Sequence, residues 1–232
     1  MVGLDTAYPA DYASDSMVEL SHREARQEPP CPRLTANPEG TQDNHMKIGL
    51  LTDTHLPNLI KDLDELGPEP AEFFSSVDLI MHGGDLIYTR VLDWLEQFAP
   101  VICANGNNDP YDDHRSEEVQ VIEVEGWRIG MVHDLGSEHL PMSKLRRLFP
   151  SPVDVMVGGH THQEVLYERE GVVILNTGSI TFPRHKELRL GGVGLLELEP
   201  GSLHAEIIPI GETPGRPNPC EALSLDMRRD RG

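Results

Sequence analysis

Met46-Lys47-Ile48-Gly49-Leu50-Leu51-Thr52-Asp53-Thr54-His55 is the stretch on which the reading of this chain turns. Its apolar run reads as a buried first strand, and that strand runs directly into a carboxylate and an imidazole two residues apart. Upstream the texture is different. Residues 1–45 carry Pro9, Pro29, Pro30, Pro32 and Pro38, scattered acids and almost no apolar periodicity. Such a segment buries too little surface to offset its ordering entropy, so 1–45 is expected to be a disordered N-terminal extension and the working domain to begin at Met46.

Downstream, helical and strand patterns alternate. A short helix is expected over 71–76, a strand over 77–81, a helix over 91–98 from the spacing of Val91, Leu92, Leu95 and Phe98, and a strand over 101–104 after Pro100. From residue 119 the pattern becomes hairpin-like, with strands over 119–124 and 127–132 around a Glu125-Gly126 turn. A helix over 142–149 and strands over 153–157, 164–168, 172–175, 192–198 and 203–210 complete the domain, taken as 46–212. Residues 213–232, with Pro214, Pro217 and Pro219, read as a C-terminal tail in which Leu223, Leu225 and Met227 would at most give a short helix. Parallel-type units in front and hairpins behind predict an α/β sandwich of two sheets with helices outside.

Composition narrows the function. The 232 residues include 19 Lys and Arg against 39 Asp and Glu, for a net charge of -20 and a pI near 4.8. That balance disfavours duplex nucleic acid and anionic membrane surfaces as partners. It leaves a phosphorylated small molecule open, because bound cations reverse a local field. No apolar run reaches the roughly 18 residues of a membrane span. The acidic, polar N-terminus does not read as a secretory signal, and Cys31, Cys103 and Cys220 are too few and too scattered for a disulfide framework, so a cytoplasmic location is expected. Cys103, in a predicted strand, reads as inert core, and Trp94 as packing.

Ligand-type residues recur where the predicted strands end: Asp53-Thr54-His55, His82-Gly83-Gly84-Asp85, Asn105-Gly106-Asn107-Asn108-Asp109, His133-Asp134 and Gly159-His160-Thr161-His162. In α/β sheets ligands bind at the carboxyl ends of strands, so these clusters should converge. If the strand ends stay extended, residues i and i+2 point to one side, which would bring Asp53 with His55 and His160 with His162 to the same cation. Carboxylate plus imidazole without thiolate suits Mn²⁺, Fe²⁺, Co²⁺, Ni²⁺ or Zn²⁺. His82 is expected to support the site rather than ligate, and Asp109 to orient Asn107 or a bound water.

Asp53-x-His55, Gly84-Asp85, Gly106-Asn107, His133 and Gly159-His160-x-His162 together resemble the ordered motif set of calcineurin-like metallophosphoesterases. Asn176-Thr177-Gly178-Ser179 and Pro183-Arg184 are similar to the small bacterial and archaeal phosphodiesterase branch, to which a non-catalytic retromer scaffold subunit is related. The resemblance covers about residues 46–210. It implies a four-layered α/β/β/α sandwich of two mixed β-sheets flanked by helices. It also implies two divalent ions, Mn²⁺ first among those named above. Asp53, His55 and His162 would hold one ion, Asn107, His133 and His160 the other, and Asp85 would bridge them. Asp85, Asn107 and His160 are accordingly the expected catalytic residues. A hydroxide shared by the ions would attack phosphorus in line with the leaving group, in a site left with a surplus of about one positive charge.

The expected activity is therefore phosphoric ester hydrolysis, of diesters before monoesters, on a small substrate, in a chain that relatives suggest is a homo-oligomer. The alternative is a metal-binding scaffold of the same fold without turnover. Two departures from the family pattern stand out. Asn108 occupies the place where relatives often carry His or Cys and is no general acid, and His133-Asp134 replaces a common His-Gly-His.

Overall fold

The computed structural model describes residues 45–110, 113–137, 140–185, 189–211 and 215–229. The expected N-terminal extension lies outside them except for His45, so its order is not addressed. Strand β1 (Met46–Leu51) is followed by α1 (Glu69–Phe74), β2 (Leu79–His82), α2 (Arg90–Leu95), β3 (Val101–Ala104) and the two-residue β4 (Ser116–Glu117). Next come β5 (Val119–Val124), β6 (Trp127–Val132), α3 (Met142–Leu145), β7 (Val155–Gly158), β8 (Glu164–Arg169) and β9 (Val172–Thr177). The last three strands are β10 (Gly191–Glu199), β11 (Ser202–Ile210) and β12 (Leu223–Arg228).

These strands form a seven-stranded sheet, ordered β12-β11-β10-β1-β2-β3-β4, and a five-stranded sheet, ordered β5-β6-β7-β9-β8. Both are mixed. In the first, β1, β2, β3 and β4 run parallel while β10, β11 and β12 are antiparallel neighbours. In the second, β6, β7 and β9 are parallel and β5 and β8 close the edges antiparallel.

The side-chain period of two assigns each strand residue to a layer. Ile48 and Leu50, Leu79 and Met81, Val155 and Val157, and Val173 and Leu175 all enter one core with residues of both sheets. The alternate residues turn outward. Leu51, Ile80 and Cys103 pack with Phe74 of α1 and with Val91, Leu92 and Leu95 of α2. Met156 and Ile174 pack with Met142 and Leu145 of α3 and with Phe149. The result is four layers, helix–sheet–sheet–helix, as the sequence predicts. Strands covered on both faces explain the near-continuous apolar runs of β1, β2, β7 and β9.

The C-terminal segment needs a correction. Residues 223–228 are neither tail nor helix but the edge strand β12, paired to β11 from Ser202↔Arg228 to Ile207↔Leu223. Leu225 and Met227 pack on the inter-sheet core while Ser224, Asp226 and Arg228 face out. Trp127 fastens the far end of the sandwich. Its indole N–H donates to the Glu199 carbonyl at 2.9 Å, and the Arg229 guanidinium lies 3.9 Å over its ring. No described helix is long and apolar enough to cross a membrane. Cys103 is buried, and burial pushes its thiol up to about 12, as an inert core residue requires.

Candidate metal centre

The parallel strands of both sheets deliver their carboxyl ends to one region, and the loops there are stitched together through the backbone. Asp53 N–H donates to the Gly84 carbonyl and His55 N–H to the Asp85 carbonyl, each at 2.9 Å, joining the loop after β1 to the loop after β2. Gly159 N–H donates to the His133 carbonyl at 2.7 Å, joining the loops after β7 and β6. His160 N–H spans the two sheets, donating to Asp53 Oδ2 at 2.9 Å.

Two compact groups result: Asp53, His55 and His162, and Asp53, Asp85 and His133, each with one donor atom per residue within 4.8 Å of the others. His162 Nε2 lies 3.4 Å from Asp53 Oδ1, and His55 Nε2 lies 3.5 Å from Asp85 Oδ2 and 3.0 Å from His162 Nε2. His133 Nε2 lies 3.5 Å from Asp85 Oδ1, too long for a good hydrogen bond, and it is buried with no hydrogen-bond partner. Among the acids and histidines proposed as ligands, His160 stands outside both groups. Asn107 and His160 are exposed, and the His160 ring meets His133 edge-on with centroids 5.2 Å apart.

The spacing argument for these residues does not survive as stated. Asp53, His55, Asp85, His160 and His162 all have positive φ, between 44° and 66°. They sit in left-handed turns rather than extended strand ends, a conformation uncommon for residues with a Cβ and concentrated at functional sites. The i, i+2 pairs therefore do not share a face by strand periodicity. Asp53 and His55 still meet in one group, whereas of His160 and His162 only His162 joins a group. Among the glycines, Gly159 has a steric reason: a Cβ there would overlap Thr52 Oγ1 and Asp53 Oδ2.

Several further residues hold these side chains in place. His82 is fully buried between two loops. Gly84 N–H donates to its Nδ1 at 3.0 Å, so Nε2 carries the proton that faces Thr54 Oγ1 at 3.2 Å. Burial drives His82 down to about 3, so it is a neutral support, as expected. Asp109 does not reach Asn107. It accepts instead from the backbone N–H groups of Asp85, Leu86, Ile87 and Gly106. Asn108, noted only as a departure, grips both oxygens of Asp85, through its backbone N–H at 3.0 Å and its amide Nδ2 at 2.8 Å. Ser179 donates to the Asp53 carbonyl at 2.6 Å and Thr181 to the Thr54 carbonyl. These two hydroxyls give the 176–181 stretch its structural purpose.

The donor set fits divalent cations. Asp53 and Asp85 are 0% and 3% exposed, and among the described residues their charge partners are histidines, with no lysine or arginine. Buried carboxylates are otherwise paired or bound to metal. His133 Nδ1 lies 2.8 Å from the Gly83 carbonyl and His162 Nδ1 2.6 Å from the Phe182 carbonyl. Each ring is thus held with Nε2 toward a carboxylate, the arrangement by which proteins orient ligating imidazoles. Two of the rings feel the carboxylates beside them. Burial pulls His133 down, but the Asp85 and Asp53 carboxylates outweigh it and push the ring up to about 9. His162 is also raised, with burial opposing and Asp53 prevailing, while burial leaves His55 lowered. Burial pushes Asp85 up, and His133 and Asn108 more than reverse it, holding the carboxyl well below the usual range.

Fold and site thus define an α/β-sandwich protein with a carboxylate–imidazole cluster suited to divalent metals. Residues 46–201 match the model of the calcineurin-like phosphoesterase superfamily domain, and the chain belongs to that family. It is 36% identical over 167 residues to a probable metallophosphoesterase of Methanothermobacter thermautotrophicus, covering 72% of this chain and 94% of that one. It is 27% identical over 148 residues to a phosphodiesterase of Methanocaldococcus jannaschii, covering 57% and 83%. In fold it is similar to the zinc-complexed Vps29 of Entamoeba histolytica, with a TM-score of 0.60 at 21% identity over 78% of this chain and 99% of the other.

Proposed function

We propose that this chain is a cytoplasmic phosphodiesterase that works with two divalent cations on a small phosphoester. The observation that carries the reading is the pair of pre-oriented imidazoles, His133 and His162, each fixed at Nδ1 by a backbone carbonyl with Nε2 facing a buried carboxylate. Such a cluster is costly to keep in a core unless cations complete it. By the family resemblance, Asp53, His55 and His162 would hold one cation, Asn107, His133 and His160 the other, and Asp85 would join them. Mn²⁺ heads the expected metals, ahead of Ni²⁺, Fe²⁺, Co²⁺ and Zn²⁺.

Cations bound by these residues would supply Lewis acidity toward the phosphoryl oxygens and would lower the pKa of a coordinated water. The chain supplies position. His82 and Asp109 hold the loop that presents Asp85, and Ser179 and Thr181 hold the loop that presents Asp53 and His55. Asn108 engages Asp85 and has no proton to give, so no general acid stands there for a poor leaving group. That favours esters of acidic alcohols, and the likeness to an archaeal phosphodiesterase supports diesters over monoesters.

A second reading, a scaffold of the same fold without turnover, draws on the similarity to Vps29. Against it, all seven motif positions are filled in this chain. Hydrolysis of bis(p-nitrophenyl) phosphate and p-nitrophenyl phosphate separates the two. The enzyme reading expects turnover with Mn²⁺, faster for the diester. No turnover of either with Mn²⁺, Ni²⁺, Fe²⁺, Co²⁺ or Zn²⁺ would leave the scaffold.

A further inference from the structure

The loop after β7 has two sides. His162 belongs to the candidate metal centre and the His160 ring rests against His133 there, whereas Gly159, Thr161 and Gln163 line a cleft of about 210 Å³ beside it. The rest of the lining includes Leu135, Leu145, Val165, Tyr167 and Ile174, with Asn176 and Arg184 among the polar members. The cleft and the metal centre share a framework. Asn176 Nδ2 donates to the Gly159 carbonyl at 2.7 Å and to Thr161 Oγ1 at 3.1 Å, while Arg184 N–H donates to the His162 carbonyl at 3.0 Å.

Charge sets this cleft apart. In a chain of net charge -20, the described lining holds one cation, Arg184, and no carboxylate. The depression near α2 sets Asp62, Asp64 and Asp93 against Lys61 and Arg90, and that near β1 sets Asp78 and Glu199 against Lys47, so each of those carries a surplus of acid. Arg184 is exposed and donates through Nη1 to Gln163 Oε1 at 2.7 Å, which aims the guanidinium while leaving further N–H donors. The cleft is smaller than the roughly 300 Å³ at which pockets enclose whole small molecules, so it suits one substituent of a larger substrate.

We infer that this cleft receives the alcohol group that stays esterified to phosphorus, and that it selects an aromatic or other apolar group there, with Arg184 at its mouth taking an acceptor atom of the substrate. The inference rests on the phosphodiesterase reading and adds the substrate class to it. The aliphatic and aromatic lining removes the ring from water, and the lack of carboxylates among the described lining residues spares the ester an electrostatic penalty.

The test compares phenyl p-nitrophenyl phosphate with methyl p-nitrophenyl phosphate, which share a leaving group and differ only in the retained alcohol, on Mn²⁺-loaded protein. The native chain should favour the phenyl ester by about tenfold or more in kcat/KM. Val165→Trp, which fills the cleft, should bring that ratio near one. Leu135→Phe, filling it from the opposite loop, serves if thermal melting shows Val165→Trp unfolded. Equal kcat/KM for the two esters in the native chain, or an unchanged ratio in the folded filled variants, overturns the cleft assignment and leaves the hydrolase reading intact. No turnover of either ester overturns both.

Discussion

His82 and Thr54 meet at 3.2 Å in the interior, Nε2 to Oγ1, and through this contact the turn that presents Asp53 and His55 is tied to the turn that presents Asp85. The opposite ring nitrogen receives the Gly84 N–H, so the imidazole has one tautomer and one orientation.

His82→Ala should therefore weaken the site without touching a proposed ligand. Removing a group that orients ligands typically lowers metal affinity by about 10–100-fold. Calorimetric titration with Mn²⁺ is expected to show a loss in that range. An unchanged affinity would mean the contact is packing alone.

Asp85→Asn should be more severe, because it removes the charge of a proposed bridge itself. Activity at saturating Mn²⁺ is expected to fall well beyond the roughly 100-fold that marks the loss of a supporting group. A chelator should likewise abolish turnover of the native chain, and readdition of Mn²⁺ should restore it. Loss of the bound ions should lower the melting temperature through mass action, with the far-ultraviolet circular dichroism unchanged below the transition.

Gly159→Ala adds a single methyl group against Thr52 Oγ1 and Asp53 Oδ2. Overpacking of this kind costs about 1–3 kcal/mol, readable in urea unfolding. Because the displaced atom belongs to Asp53, Mn²⁺ affinity should fall in the same variant.

Asp113 gives a pH dependence away from the metal centre. Its carboxylate takes the Arg115 backbone N–H at 3.0 Å and two guanidinium N–H groups at 2.9 and 2.7 Å, and Arg115 also reaches Asp93 and Glu96. The Arg115 hydrogen bonds hold the carboxyl down at about 2, against a modest opposing effect of burial. A depressed acid stabilises the fold fully above its ordinary value near 4 and loses that contribution as pH falls toward 2. The stability difference between the native chain and Asp113→Asn, about 1–3 kcal/mol for bonds to charged groups, should be constant from pH 5 to 8 and shrink below pH 4. A difference that grows on acidification would contradict the assignment.

Much of the layer structure could be read from apolar runs, because strands covered on both faces leave little ambiguity. Two strands escaped. β4 is two residues long and has no pattern to find. β12 does alternate, Leu223, Leu225 and Met227 against Ser224, Asp226 and Arg228, yet its proline-rich approach argued for a tail. Which side chains gather was legible because strand ends concentrate ligand-type residues. How they gather was not, since nothing in Asp53-Thr54-His55 announces a left-handed φ. Asn108 and Ser179 acquire their roles only from residues far away in the chain, Asp85 and Asp53.

The two sheets are joined by hydrocarbon: Ile48, Leu50, Met81 and Leu196 of one meet Ile129, Met131, Val157 and Leu175 of the other. The polar cluster sits at one end of that seam and is not needed to close it. Chemistry and architecture are separable in such a build. A descendant of this chain could surrender every imidazole at the rim and keep its shape, which frees the surface of the sandwich to be recruited for other work while the interior stays as it is.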